Sequence, residues 1–207
     1  PTVRIKNSGN ESQISVVLAN VGGLIGAAPR GDIYMTDSYN KGFVKGGSTC
    51  GGLIGSGSSS AGVIEIDNCY VEADIGDFTA QAGGLVGSTS SPVTINHSYW
   101  EGDYRVNSLS TIVGGIIGNL DTTTANVDVK DVYWSGSSKD TVPNTLGGIF
   151  GSIGSPKGSF TLANAYWHGD GGASAGIIGN VTNAANVSIS NAYYRLDLPE
   201  GAAENAF

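Results

Sequence analysis

The stretch Gly22-Gly23-Leu24-Ile25-Gly26 decides the fold, because the chain carries it six times. It recurs at 51–55, at 83–87 as Gly-Gly-Leu-Val-Gly, and at 114–118 as Gly-Gly-Ile-Ile-Gly. The last two copies are Gly-Gly-Ile-Phe-Gly at 147–151 and Ala-Gly-Ile-Ile-Gly at 175–179. Successive first positions differ by 29, 32, 31, 33 and 28 residues. A period of this size marks a stacked repeat, whose units have apolar faces that only their neighbours cover. Taken at period 2, the pentapeptide is apolar on both faces. One face carries Gly, Leu or Ile, and Gly. The other carries the preceding residue (Val21, Cys50, Ala82, Val113, Leu146, Ser174), then Gly, then Ile, Val or Phe. Such a strand is expected to be covered on both sides, under its own loops or by a partner lying on an apolar strip.

Polar loops rich in Gly, Ser and Pro follow the motif at 27–32, 56–62, 88–92, 119–126, 152–159 and 180–186. Their unequal lengths account for the uneven period. A period-2 stretch comes next: Ile33-x-Met35-x-Asp37-x-Tyr39, then Ile64-x-Ile66-x-Asn68-x-Tyr70. It continues as Val93-x-Ile95-x-His97-x-Tyr99 and Val127-x-Val129-x-Asp131-x-Tyr133. The last two are Phe160-x-Leu162-x-Asn164-x-Tyr166 and Val187-x-Ile189-x-Asn191-x-Tyr193. Strict alternation puts the two apolar residues, the Asn/Asp/His and the Tyr on one inward face. A third stretch follows each Tyr, as in Val71-x-Ala73-x-Ile75 and Trp100-x-Gly102-x-Tyr104-x-Val106. No segment has helical periodicity. The pattern predicts an all-β, right-handed parallel β-solenoid (a β-helix). It has about six coils of 28–33 residues, three short strands per coil, over residues 1–198. Residues 199–207 leave the pattern and read as a tail or partial cap. Val3, Ile5, Ile14 and Val16 enter already in phase, as expected of an excerpt from a longer array.

The chain has 207 residues, 33 of them Gly, with 40% hydrophobic and 14% charged residues. Normal apolar content with low charge suits short strands and turns and excludes disorder by composition. A net charge of −8 argues against nucleic-acid and anionic-membrane partners. No apolar run is long enough to cross a bilayer as a helix.

With six glycine pentapeptides, each followed about ten residues on by a Val-x-Ile-x-Asn-x-Tyr type strand, residues 20–195 resemble GLUG repeats. These occur in large bacterial surface adhesins and in the non-catalytic regions of secreted peptidases. The resemblance implies export, an extracellular or cell-surface location, and a role in adhesion or as a stalk. It implies a partner that is a host or neighbouring-cell surface protein or glycan. Self-association through the apolar strip or the open ends is a further expectation.

Several constellations are candidates within this frame. Trp100, Trp134, Trp167 and Tyr194 recur one coil apart and are candidate sugar-contact aromatics. Trp100 shares its parity with Tyr104 and Val106, however, which points to core packing. The column Asp37, Asn68, His97, Asp131, Asn164 and Asn191 reads as a corner ladder bonded coil to coil rather than a row of ligands. Arg30-Gly31-Asp32 matches an integrin-type tripeptide in a segment where Gly-Asp is also ordinary turn chemistry. Cys50 and Cys69 lie within one coil; export would permit a disulfide, and their columns of small residues equally fit two buried thiols. Asp74, Asp77 and Asp103 are the candidate calcium ligands, without an EF-hand loop to hold the ion. No metalloprotease, nucleophile-elbow or phosphate-loop motif occurs, and His97 and His168 are the only histidines. A non-catalytic module is expected. The alternative is a carbohydrate-binding or polysaccharide-degrading β-helix.

Overall fold

The computed structural model describes residues 1–17, 19–57, 62–106, 111–121, 126–140, 143–154, 158–169, 176–182 and 187–196. The expected tail at 199–207 and Ala175 of the sixth pentapeptide lie outside them. The described residues form strands and turns without a helix, and every strand pairing is parallel. The strands build three sheets that wind as a β-solenoid of about five turns. The first sheet stacks seven levels, from Thr2–Lys6 through Asp32–Thr36, Ile64–Asp67, Val93–Glu101, Val127–Ser135 and Phe160–Gly169 to Val187–Leu196. The second holds the glycine pentapeptides, and the third is a five-stranded sheet running from Ile14–Val16 to Ser138–Asp140. Equivalent residues sit in register: Val93 beside Val127, Ile95 beside Val129, Trp100 beside Trp134.

The coil differs from strict three-strand alternation at two points. The first is the Asn/Asp column. Asn7, Asp37, Asn68, His97, Asp131, Asn164 and Asn191 all have positive φ, between 47° and 53°. Left-handed backbone is tolerated best by Asn and Asp among residues with a side chain. One such residue in an extended chain reverses which face the following side chains take. In coil after coil, inward positions therefore run i, i+2, i+5, i+7: Val127, Val129, Val132 and Trp134, or Phe160, Leu162, Ala165 and Trp167, all buried. The tyrosines, expected inward, face outward instead. Asp37, Asn68, His97, Asp131, Asn164 and Asn191 are themselves exposed, not inward. In the early coils the corner splits the strand in two, as at Asp32–Thr36 and Tyr39–Asn40. From Val93–Glu101 onward the strand runs through it.

The second point is the pentapeptide. A Cβ on its first glycine would press on the carbonyl of the residue three further on, and lie 2.7 Å from the amide of Gly87 in the case of Gly51. A Cβ on its fifth glycine, Gly55, would lie 2.5 Å from the Val21 carbonyl of the coil before. First and fifth glycines therefore face each other, backbone against backbone, and the strand is folded back on itself at Gly-Leu. At the fold Leu53 and Ile54 both donate their N–H to the Leu85 carbonyl, at 3.0 and 2.9 Å. Both flanks consequently face the solenoid's own interior: Phe150 meets Phe160 edge-on at 5.0 Å, and Leu53, Ile54, Leu85, Val86, Ile116 and Ile117 are fully buried. The expected cover on both faces is present. Among the described residues, the fold-back supplies it.

Candidate functional site: the outward tyrosine ladder

The second glycine of each of the first five pentapeptides faces the residue three beyond the left-handed Asn/Asp/His column. A Cβ on Gly84 would lie 2.6 Å from Trp100 Cε3, and one on Gly115 2.7 Å from Trp134 Cε3. Glycine here makes room for an indole. Trp100, Trp134 and Trp167 stack at 5.0 and 5.3 Å with ring planes 8° apart. Each indole N–H donates to a turn carbonyl of the coil before: Ala73 at 2.8 Å, Gly102 at 3.0 Å and Gly136 at 3.2 Å. All three are 0% exposed, so the sugar-contact role is overturned for them by burial. Their fluorescence is expected to be blue-shifted and poorly quenched by iodide; efficient quenching would contradict this packing. Tyr194, half exposed, ends the column against Trp167 at 6.2 Å.

The aromatic residues that do reach the surface are the tyrosines. Tyr39, Tyr70, Tyr99 and Tyr133 stack at 5.4, 5.2 and 4.7 Å with planes within 10°. Gly9 occupies this column one coil earlier and leaves space for the Tyr39 ring over it. Each phenol leans toward the preceding coil. Tyr39 donates to Glu11 at 2.9 Å, Tyr99 to Glu72 at 3.1 Å and Tyr133 to Glu101 at 2.7 Å. At Tyr70 the partner is a cation, Lys41, 5.5 Å from the ring centroid and paired with Glu72 at 2.9 Å. Partial burial and the Glu72 carboxylate push the Tyr99 phenol up to about 12. Lys41 holds Glu72 below the usual carboxylate range. The ladder offers ring edges, hydroxyls and carboxylates, while the ring faces from Tyr39 to Tyr133 are covered by one another. Strict alternation hid this surface. The repeated Asn/Asp/His before it was the available signal, since those residues favour left-handed backbone.

The remaining candidates disperse. Cys50 and Cys69 are free and buried, which corrects the candidate disulfide. Cys50 donates to the Gly46 carbonyl at 2.6 Å, and Cys69 stands between Ser38 and Ser98 of the adjoining coils, with its sulfur 3.3 Å from the Asp67 carbonyl. Burial pushes their thiols up to about 12 and about 11, so neither is a ready nucleophile or ligand. In Arg30-Gly31-Asp32, Asp32 opens a strand, and its carboxylate accepts from Val63 N–H at 3.2 Å and Thr2 Oγ1 at 3.3 Å. An integrin-type carboxylate must stand free at a loop tip; this one holds two coils together. Asp74 takes the Arg105 guanidinium at 2.8 Å, Asp77 takes Lys45 at 2.8 Å, and Asp103 accepts from Ser137 N–H at 2.9 Å. These three acids do not converge, and no group of three metal-ligating side chains forms among the described residues. His168 stands beside Tyr166, ring centroids 6.4 Å apart, and its sequence neighbour Asp170 lies outside the described residues. No family model, no curated protein and no solved structure matches the chain.

Proposed function

We propose that this chain is a non-catalytic extracellular repeat module of a bacterial cell-surface protein, working as a stalk or in adhesion. The observation that carries the reading is the direction of its side-chain bonds. Tyr, Trp, Asn and Ser columns bond along the axis from coil to coil, so polar side chains connect levels instead of converging on a ligand. Six steps of roughly 4.8 Å between the seven levels of the first sheet give a stack about 29 Å long, and further coils would lengthen it without changing its cross-section. The resemblance of the pentapeptides to GLUG repeats supports export and surface display. Adhesion has one observation in its favour, the outward row of Tyr edges and Glu carboxylates, which suits lateral contact with an extended partner.

The test labels intact and permeabilised cells with antibody to this segment, and incubates the purified chain with a glycan array and a polysaccharide panel. Surface labelling of intact cells without release of reducing ends supports the proposal. Array binding that is lost in a Tyr99→Ala variant selects adhesion over the stalk. Labelling only after permeabilisation, or reducing-end release lost in a His168→Ala variant, overturns it.

A further inference from the structure

His97 interrupts a column in which every other member is Asn or Asp. Elsewhere the rungs are carboxamide bonds: Asn68 to Asp37 at 2.7 Å, Asn164 to Asp131 at 2.9 Å, Asn191 to Asn164 at 3.0 Å. Those donors do not titrate. At the third rung the imidazole stands between two carboxylates on different coils. Nδ1 is 2.9 Å from Asp67 Oδ1 in the coil before, and Nε2 is 3.7 Å from Asp131 Oδ2 in the coil after. A neutral imidazole has one N–H, so it bonds one carboxylate and turns a lone pair to the other; the imidazolium offers a proton to both.

We propose that His97 is a proton-operated clasp joining three successive coils at the left-handed corner. Titratable and charged side chains on the strands around it are Glu65, Asp67 and Tyr70 on one side, Asp128, Lys130, Asp131 and Tyr133 on the other, and Tyr99 and Glu101 on its own strand. Lys130, the cation on the adjoining strand, is held by Asp128 at 2.7 Å, and Arg105 by Asp74 at 2.8 Å, so neither replaces the imidazolium. Asp67, through its hydrogen bond, raises the His97 pKa above the ordinary value, with Asp131 acting in the same direction. A pKa raised by folding gives stability that is fully present below the unfolded value, near 6.5. It is lost as pH rises through the folded value. The corner therefore tightens on acidification and loosens above neutrality, independently of the stalk reading.

The experiment is an NMR titration of the imidazole of His97 in the full chain, with His168 as the second histidine, alongside thermal melts at pH 5.5 and 8.5. His97 is expected to titrate above 6.5. Asp67→Asn moves its midpoint back toward the ordinary value, and Asp131→Asn does so by less. His97→Asn installs the column's own residue and keeps the corner. The melting temperature of the parent relative to this variant is expected to be higher at pH 5.5 than at 8.5. An equal difference at the two pH values overturns the clasp, since a purely structural rung has no pH dependence. So does a His97 midpoint at or below 6.5, which needs no variant to fold.

Discussion

Trp134→Ala is expected to lower the unfolding free energy by about 4 kcal/mol, within the range for deleting a buried Trp. The indole is fully buried between Trp100 and Trp167, and its removal breaks both stacking contacts. It also leaves the Gly102 carbonyl without its indole donor. Collapse into the space is opposed, because the neighbouring levels are held by their own parallel ladders. With a urea slope of about 2–3 kcal/mol/M, the midpoint should fall by more than about 1 M. Trp134→Phe keeps an aromatic ring and loses the N–H bond, so it should cost a fraction of this. A loss below about 1 kcal/mol for the alanine variant would show that the indole is not a core element.

Gly115→Val is the second large effect. Strand propensity favours valine over glycine by up to about 1 kcal/mol, so a position that merely tolerates glycine would be stabilised. Here an added Cβ would sit 2.7 Å from Trp134 Cε3 and 2.8 Å from Trp134 Cβ, and closer still to the Gly148 carbonyl. Backbone fixed by two ladders cannot move aside, and overpacking typically costs 1–3 kcal/mol. A loss of about 3 kcal/mol is expected. Gly176 supplies the control, being the same pentapeptide position at the last level. Among the described residues, a Cβ there would meet nothing nearer than the Ile178 carbonyl at 3.7 Å. Gly176→Val is therefore expected to be neutral or stabilising. Equal destabilisation at both positions would refute packing against the indole as the reason for glycine. Gly115→Val fills space that Trp134→Ala vacates, so together they should cost less than the sum of the two.

The repeat period and the apolar pairs made the solenoid legible, because Ile33-x-Met35 and its equivalents show their face directly. Tryptophan burial was legible too, from the shared parity of Trp100, Tyr104 and Val106. The outward tyrosines were not. A binary pattern counts residues and assumes every one turns the pleat by the same amount; Asp37 and its column violate that assumption through backbone sign alone. The fold-back of the pentapeptide was also out of reach. Two apolar faces say that a strand is covered, whereas the contact of Gly51 and Gly55 equivalents depends on a chain reversal that leaves no side chain to read. Among candidate sites, the corner ladder was legible as bonding from coil to coil. Its exposure was not, since outward projection follows from the same left-handed geometry.

The column opposite the second glycines is graded. It holds Asn10 and Asn40, then Val71, then Trp100, Trp134 and Trp167, and finally Tyr194. This grading determines which rearrangements of the gene the protein can absorb. Duplicating or deleting one of the three indole coils by unequal crossing-over sets like beside like, and should yield a folded chain one coil longer or shorter. An exchange that carries an indole coil into the first two levels removes a carboxamide. Asn40 bonds both the Gly42 carbonyl, at 2.9 Å, and the Gly42 amide, at 3.0 Å, and receives the Asn10 donor at 2.8 Å. An indole offers one donor and no acceptor in its place. The array is modular toward its C-terminal levels and individually tailored at its N-terminal ones, with Val71 as the boundary between the two.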